Sequence, residues 1–291
     1  MEEKYRELTD LKMRPRVEPH KLFQYYGGKY YLIPDIVKEI GESYARFDIK
    51  CIVDVFGGSG TVILSLPQEW KVNRVYNDID KRLYTTLKVL QDPIKRQQVI
   101  DFLTFSLRSR QEFDEFKDSN WDELNDIEIA KRYIYLIANS FNGDLKNFRL
   151  DINTTRNHIS QIMGSISKNV RYLQKYLDIE NLDFREIIEK YKHEHTFFYL
   201  DPPYLKGGKT YKHNFSLEDF KDLKKALDNS NSYWLMNESQ ADFDALLPIF
   251  GRPDYTKEYY NQSTNKKQVM NNPNKQSKRL EGFWKNYWIW R

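Results

Sequence analysis

Four short β-rich runs set between helical stretches constrain this chain more than any other feature: CIVDVF (51–56), RVYND (74–78), HTFFYLD (195–201) and SYWLMN (232–237). Runs of that length, bounded by Gly, Pro and Asn, suit strands buried on both faces. Their alternation with helices predicts an α/β protein built on a largely parallel sheet. Between the second and third runs, from about 92 to 176, the apolar residues recur at helical spacing, as in IEIAKRYIYLIAN (127–139), with little β signal. This stretch is predicted to be a mostly helical insertion. Residues 1–19 read as a polar extension ended by Pro15 and Pro19. Residues 261–280, almost without core formers, read as a loop between two aromatic strand-like runs, DYTKEYY and GFWKNYWIW, placed to pair at the sheet edge.

Composition removes several classes. With 291 residues, 40% apolar and 15% aromatic, the chain is long enough for a large core and too sticky for a solvated coil. A single cysteine, Cys51, excludes an internal disulfide and a thiolate-rich metal centre, and the histidines show no H-E-x-x-H spacing. No metal is expected. No run approaches the roughly 18 apolar residues of a membrane span, and the charged N-terminus lacks an apolar h-region, so the expectation is a soluble cytoplasmic protein without membrane partners. Charge is nearly balanced, with 46 Lys+Arg against 42 Asp+Glu. It is unevenly placed, because residues 255–291 hold eight basic and two acidic groups, including Lys266 and Lys267. That end of the chain is read either as a solvated loop or as a segment that tracks a polyanion.

Three motifs sit at the ends of the predicted strands. The turn Asp54-Val55-Phe56-Gly57-Gly58-Ser59-Gly60-Thr61 follows CIV and precedes a helix, where glycines bring backbone close to a ligand. It lacks the Gly-Lys-Ser/Thr ending of a phosphate loop, and position 63 is Ile where the dinucleotide fingerprint needs Gly, so a plain βα turn stays open. Asn77-Asp78-Ile79-Asp80 ends the next strand, 24 residues after Asp54. A carboxylate there can accept from both hydroxyls of a ribose, with Asp80 the better reading as a helix N-cap. Asp201-Pro202-Pro203-Tyr204 follows the strand Phe197-Phe198-Tyr199-Leu200. Two prolines stiffen the loop and fix the directions of the acid and the ring. An exocyclic amine on an aromatic base is a poor nucleophile because its lone pair is delocalised. A carboxylate and a carbonyl, Asp201 and Pro202, accepting its two N–H bonds would free that pair, while Tyr204 stacks on the base.

With these residues in order, the chain resembles the Dam-like DNA adenine-N6 methyltransferases. Tyr26-Gly27-Gly28-Lys29, the Asp54–Gly60 turn, Asn77-Asp78-Ile79 and Asp201-Pro202-Pro203-Tyr204 carry the resemblance, with echoes at Ser140-Phe141-Asn142-Gly143, Asp183-Phe184 and Asn237. It spans roughly residues 20–290. The resemblance implies a Rossmann-like class I methyltransferase mixed sheet with a mostly helical inserted target-recognition domain. It implies domains at 20–91 with 177–291 (catalytic, discontinuous) and 92–176 (target recognition). The implied cofactor is S-adenosyl-L-methionine, and the implied partners are double-stranded DNA and a cognate restriction system. By the same resemblance Tyr26, Gly28 and Lys29 form a cofactor segment, with the lysine near the cofactor's carboxylate. Asp54, Phe56, Gly57, Gly58 and Gly60 pass under its methionine moiety, Asp78 binds the ribose, and Asp183 and Phe184 meet the adenine ring. Asp183 could equally cap the helix FREIIEKY. Asp201, also against the cofactor, and Tyr204 are catalytic, on a loop held by Pro202 and Pro203. Reaching an adenine inside a duplex requires extruding it. The insert offers Arg108, Arg110, Asn142, Lys146, Asn147, Arg149 and Arg156 for phosphates and base edges, although its 13 basic and 12 acidic residues give it no overall charge. The rivals are N4-cytosine methylation, methylation of another amide or amine, as in RNA or a protein glutamine, and a non-catalytic DNA-binding protein that keeps the fold.

Overall fold

The structure, a computed structural model, describes residues 19–23, 28–150, 158–174, 177–205, 215–260 and 278–287. Expectations for residues 1–18, Tyr26, Arg156 and the stretch holding Lys266 and Lys267 lie outside the described residues. The chain forms α1 (Ile33–Arg46), β1 (Cys51–Asp54), α2 (Thr61–Ser65), β2 (Asn73–Asn77) and α3 (Lys81–Gln91). Next come α4 (Pro93–Phe105), α5 (Arg110–Lys117), α6 (Asp126–Asn139) and α7 (His158–Gln174). The rest is β3 (Leu177–Glu180), α8 (Phe184–Tyr191), β4 (Thr196–Leu200), α9 (Leu217–Asp228), β5 (Tyr233–Ser239), α10 (Phe243–Phe250), β6 (Tyr255–Tyr260) and β7 (Lys278–Lys285).

The strands form one seven-stranded sheet in the order β3-β2-β1-β4-β5-β7-β6. β1 to β5 are mutually parallel, and β7 runs antiparallel between β5 and β6. This is a Rossmann-like mixed sheet, as the sequence reading expects. The two aromatic runs do pair with each other, but the later one enters the sheet first and leaves β6 on the edge. β3, a four-residue edge strand, has no counterpart in the sequence reading.

The pleat sends alternate residues to opposite faces. Ile52, Phe197, Tyr199 and Leu235 pack on one face with Ile36 and Ile40 of α1 and Leu83 and Leu87 of α3. Val53, Phe198, Leu200 and Met236 pack on the other with Ile187 of α8, Phe220 and Leu223 of α9 and Leu246 of α10. Both faces are covered, which is why the central strands read as unbroken apolar runs. The insertion is helical from α4 to α7, and its buried residues Val99, Phe113, Tyr133, Ile134 and Ile166 join the core of the first face. Its helices start where local chemistry dictates: Asp92, Ser109 and Asn125 side chains each accept from first-turn amides. No helix among the described residues is long and apolar enough to cross a membrane.

In such a sheet the strand order reverses between β1 and β4, and the crevice outside their carboxyl ends is where ligands bind. The Gly-rich turn follows β1 and the Asp-Pro-Pro-Tyr loop follows β4, so the topology places both motifs at that crevice.

Candidate active site

Backbone and side-chain hydrogen bonds lock the loops after β1, β2, β3 and β4 together. Val55 N–H donates to the Tyr199 carbonyl (3.1 Å) and Gly57 N–H to the Asn77 carbonyl (2.7 Å). Asn77 Nδ2 donates to the carbonyls of Val55 and Leu182 (3.0 Å each), and its Oδ1 accepts from Leu182 N–H (2.9 Å). Gly58 and Gly60 take φ of 51° and 70°, a region that favours glycine. The Tyr76 hydroxyl donates to the Gly58 carbonyl (2.7 Å) and fixes the turn from below.

Two carboxyls face this turn, the half-buried Asp78 and the buried Asp54. Asp78 accepts from Gly58 N–H on one oxygen and Asp80 N–H on the other, each at 2.9 Å, which leaves further lone pairs on both oxygens. Burial pushes it up to about 6, against the opposing pull of the Asp80 and Gly58 amides. Asp54 is 1% exposed, and neither of its oxygens has a hydrogen-bond partner. Burial, then the charges of Asp201 and Asp78, push it well above the usual carboxylate range, with the Ile63 amide opposing. An orphaned buried acid in a native site calls for a ligand or a role in chemistry.

The aromatic wall beside the turn is Phe56, against Phe184 (6.0 Å between ring centres) and Phe215 (5.5 Å, edge to face). Phe184 is buried, with the Arg185 guanidinium 4.2 Å from its ring centre. Asp183 forms a capping box with Glu186 at the start of α8 and also pairs with Arg185 (3.2 Å). Asp80 caps α3, accepting from Arg82 N–H (3.0 Å).

The Asp201–Tyr204 loop is held from several sides. Lys29 Nζ, almost fully buried, donates to both Asp201 oxygens (2.8 and 3.0 Å) and lies 4.7 Å from the Tyr204 ring centre. The structure thus sets Lys29 against the acid of the tetrapeptide, with Gly28 just before it. Burial works against the lysine's charge, but Asp201 and then Tyr204 hold its proton well above the ordinary range. Burial likewise raises Asp201, with Lys29 opposing. Asn237 Nδ2 donates to Asp201 (3.3 Å), and Asn237 is itself oriented by the Tyr199 hydroxyl (2.5 Å). The Tyr204 hydroxyl donates to Glu281 (3.0 Å), and Leu205 N–H to Asp242 (3.1 Å). Pro202 is buried within this frame and Pro203 half-buried.

A glycine cradle lined by Asp78 and the orphaned Asp54 has donors and acceptors for a cationic, ribose-bearing ligand. Beside it, Asp201 has acceptor oxygens and Tyr204 a ring, groups able to meet a flat, amine-bearing ligand. Residues 25–272 match the family described as D12 class N6 adenine-specific DNA methyltransferase. The chain belongs to this family. Its similar relatives include the type II methyltransferase M.MjaIII of Methanocaldococcus jannaschii, 26% identical over 67% of this chain and 72% of that one. M1.LlaDCHI of Lactococcus lactis subsp. cremoris is 24% identical over 80% of this chain and 85% of the relative. M.CviBI of Paramecium bursaria Chlorella virus NC1A is 22% identical over 75% and 84%. This D12-class methyltransferase is accordingly an enzyme that methylates adenine N6 in DNA, with S-adenosylmethionine as methyl donor.

In the methyltransferase's helical insert, Arg108 and Arg110 are exposed and lie 4.7 and 4.9 Å from the Phe148 ring centre. Arg108 also donates to the Arg149 carbonyl. The link carrying Arg108 is fixed by the buried Tyr135, whose hydroxyl donates to the Leu107 carbonyl (2.9 Å) and accepts from Ser109 N–H (3.0 Å). Ser140 and Phe148 form an isolated antiparallel bridge that closes a loop. Asn142 lies in a 3-10 turn there, Phe141–Gly143. Asp144 organises the loop, accepting from the amides of Lys146 and Asn147 and from Asn147 Nδ2 (2.8 Å). Lys146 and Asn147 are exposed, whereas Arg149 is half-buried and donates to the Ala138 carbonyl at the end of α6 (2.8 Å).

Tyr199, Glu238, Asp242 and Glu281 escaped the sequence reading, although each is buried at or beside this site. Glu281 carried the one available signal: a lone acid heading the aromatic run Gly282-Phe283-Trp284 in an otherwise basic segment.

Proposed function

We propose that this methyltransferase acts on a short specific site in duplex DNA, extruding the target adenine into the crevice between the β1 and β4 loops. The observation that carries this is the frame around Asp201: a half-buried acid, aimed by Asn237 and the buried Lys29, beside an orphaned buried acid and a glycine cradle. Bound S-adenosylmethionine supplies a methyl group already activated by its sulfonium charge. In this reading Asp54 receives the cofactor's ammonium, Phe56, Gly57, Gly58 and Gly60 line its methionine moiety, and Asp78 accepts from its ribose hydroxyls. Gly28 completes that wall, and Phe184 with Asp183 borders the adenine end. The Asp201 carboxylate and the Pro202 carbonyl accept the two N–H bonds of the target amine, localising its lone pair. Pro203 stiffens the loop, and Tyr204 stacks on the base so that the amine stays in line. Burial, which raises Asp201, also fits it to take the proton that N6 gives up.

The helical insert, residues 92–176, is the target-reading module in this proposal. Exposed Arg108, Arg110, Lys146 and Asn147 face DNA there, and Arg156 and the basic stretch with Lys266 and Lys267 follow the phosphates. Arg149 supports the loop from within. A cytoplasmic setting and a cognate restriction enzyme belong to the same proposal.

Purified protein incubated with defined duplexes and S-adenosylmethionine, followed by nucleoside mass spectrometry, is expected to yield N6-methyladenine. N4-methylcytosine as the sole product would overturn the adenine assignment, and no methylation of any duplex would overturn the duplex substrate.

The cofactor's affinity should depend on pH through Asp78. Ionised, it accepts from two hydroxyls; protonated, it loses acceptor capacity. Affinity is therefore full above the raised value of about 6 and weakens as pH falls through it, by roughly tenfold at about pH 5 for one linked proton. Without ligand the sign reverses. The folded protein holds this proton more tightly than the unfolded chain, so the group's contribution to stability declines as pH rises toward about 6. Calorimetric titration across this range checks it, and Asp78→Asn should bind weakly with no step near 6.

A further inference from the structure

The catalytic tyrosine is anchored from behind by a buried carboxylate on a strand that enters the sheet late in the chain. Glu281 lies on β7, opposite Ser239 of β5 on one side and Lys257 of β6 on the other. It is 1% exposed. One oxygen, Oε1, accepts from both the Tyr204 hydroxyl (3.0 Å) and the Tyr259 hydroxyl (3.1 Å). The other, Oε2, is buried with no hydrogen-bond partner. Tyr259 stands two residues along β6 from the position facing Glu281, hence on the same face of the sheet. Both phenols are donors here: burial holds Tyr204 well above its ordinary range and pushes Tyr259 up to about 12. The residue after Tyr204 is fixed independently, by Leu205 N–H donating to Asp242.

A ring that stacks on an extruded base must have a set plane, and a tyrosine on a loop can otherwise swing about its side-chain bonds. A charge-assisted hydrogen bond to a buried carboxylate removes that freedom. We propose that Glu281 is a positioning residue for methyl transfer, holding the plane of the Tyr204 ring against the flipped adenine, with Tyr259 as the second donor that fixes the carboxylate. This ties the antiparallel β6–β7 ribbon to the chemistry at the end of β4. A role in stability alone would leave the rate at saturating substrates unaffected in folded variants.

Steady-state methylation of unmethylated duplex DNA separates the two. Glu281→Leu keeps the volume and removes both acceptors; it should lower kcat roughly 10- to 100-fold, the loss expected when a reacting group is displaced by about 1 Å. Its affinity for S-adenosylmethionine, by calorimetry, should stay within about twofold, because the anchor is separate from the glycine cradle. Glu281→Gln keeps an oxygen able to accept both phenols and should recover kcat to within roughly threefold. Tyr204→Phe should lose about as much as Glu281→Leu, and the double variant Tyr204→Phe with Glu281→Leu should be no slower than the slower single one, since both cut one link. Wild-type kcat in Glu281→Leu, no recovery in Glu281→Gln, or additive losses in the double variant would overturn the proposal. If Glu281→Leu does not fold, an unaltered kcat in Tyr204→Phe overturns it equally.

The inference rests on Asp201 and Tyr204 being catalytic. Undiminished turnover in Asp201→Asn would remove that reading, whereas a slow Asp201→Asn beside a normal Glu281→Leu would remove Glu281 alone.

Discussion

Asp201→Asn is expected to lower methyl transfer roughly 1,000-fold, the upper range for removing one preorganised partner of a transition state. The amide keeps the shape of the acid and one acceptor oxygen for Lys29, which now donates to both carboxylate oxygens at 2.8 and 3.0 Å. What it loses is the negative charge that draws the amine's protons and receives one of them. Because Asp54 and Asp78 are untouched, S-adenosylmethionine should bind nearly as well as to the wild type. Both variants break the ion pair with the buried Lys29, but Asp201→Ala also removes the oxygen that Lys29 and Asn237 donate to, so it should be at least as slow and the less stable of the two, with a loss of up to about 3–5 kcal/mol. Single-turnover methylation, calorimetry with the cofactor and thermal melting give the three readouts. Normal turnover by Asp201→Asn would show that the carboxylate has no part in the chemistry.

Gly57→Ala is expected to weaken S-adenosylmethionine binding by roughly 100-fold while destabilising the fold by about 1–3 kcal/mol, the usual range for overpacking. A Cβ at that position would stand 2.2 and 2.5 Å from carbons of the Tyr76 ring and 3.0 Å from the Asn77 carbonyl. Neither neighbour can yield cheaply. Tyr76 is fully buried and its hydroxyl is bonded to the Gly58 carbonyl, and the Asn77 carbonyl accepts from Gly57 itself. The turn must therefore shift, and the Gly58 N–H that aims Asp78 shifts with it. Gly164→Ala is the matched control. It lies on α7 with nothing within 4 Å of the added carbon, so it should leave cofactor binding alone and stabilise the protein by about 1 kcal/mol through helix propensity. Cofactor affinity in Gly57→Ala equal to that of Gly164→Ala would remove the glycine from the binding site.

Read from its residues, this methyltransferase displays its strands unevenly. β1, β2, β4 and β5 are covered on both faces by helices, so their sequences are short apolar runs that announce themselves. β3 is a four-residue edge strand, Leu177–Glu180, with only its first residue buried. Four residues of mixed polarity carry no period. β7 starts at Lys278, inside a stretch that reads as loop, because pairing with β5 and β6 rather than its own composition makes it a strand. Asp80 as a helix cap is legible for the opposite reason: its partner, the Arg82 amide, is two residues away.

The sequence by itself determined the α/β class, the helical insertion, the Asp80 cap, and the three strand-end motifs that name the chemistry. All of these follow from interactions within a few residues or from one strand's burial pattern. Only the tertiary structure decided which buried groups meet. Lys29 reaches Asp201 across 172 positions, Asn237 aims the same acid across 36, and Glu281 holds Tyr204 across 77. Such contacts leave no local period or propensity, because strand order and crossovers, not neighbouring residues, bring their partners within hydrogen-bonding distance.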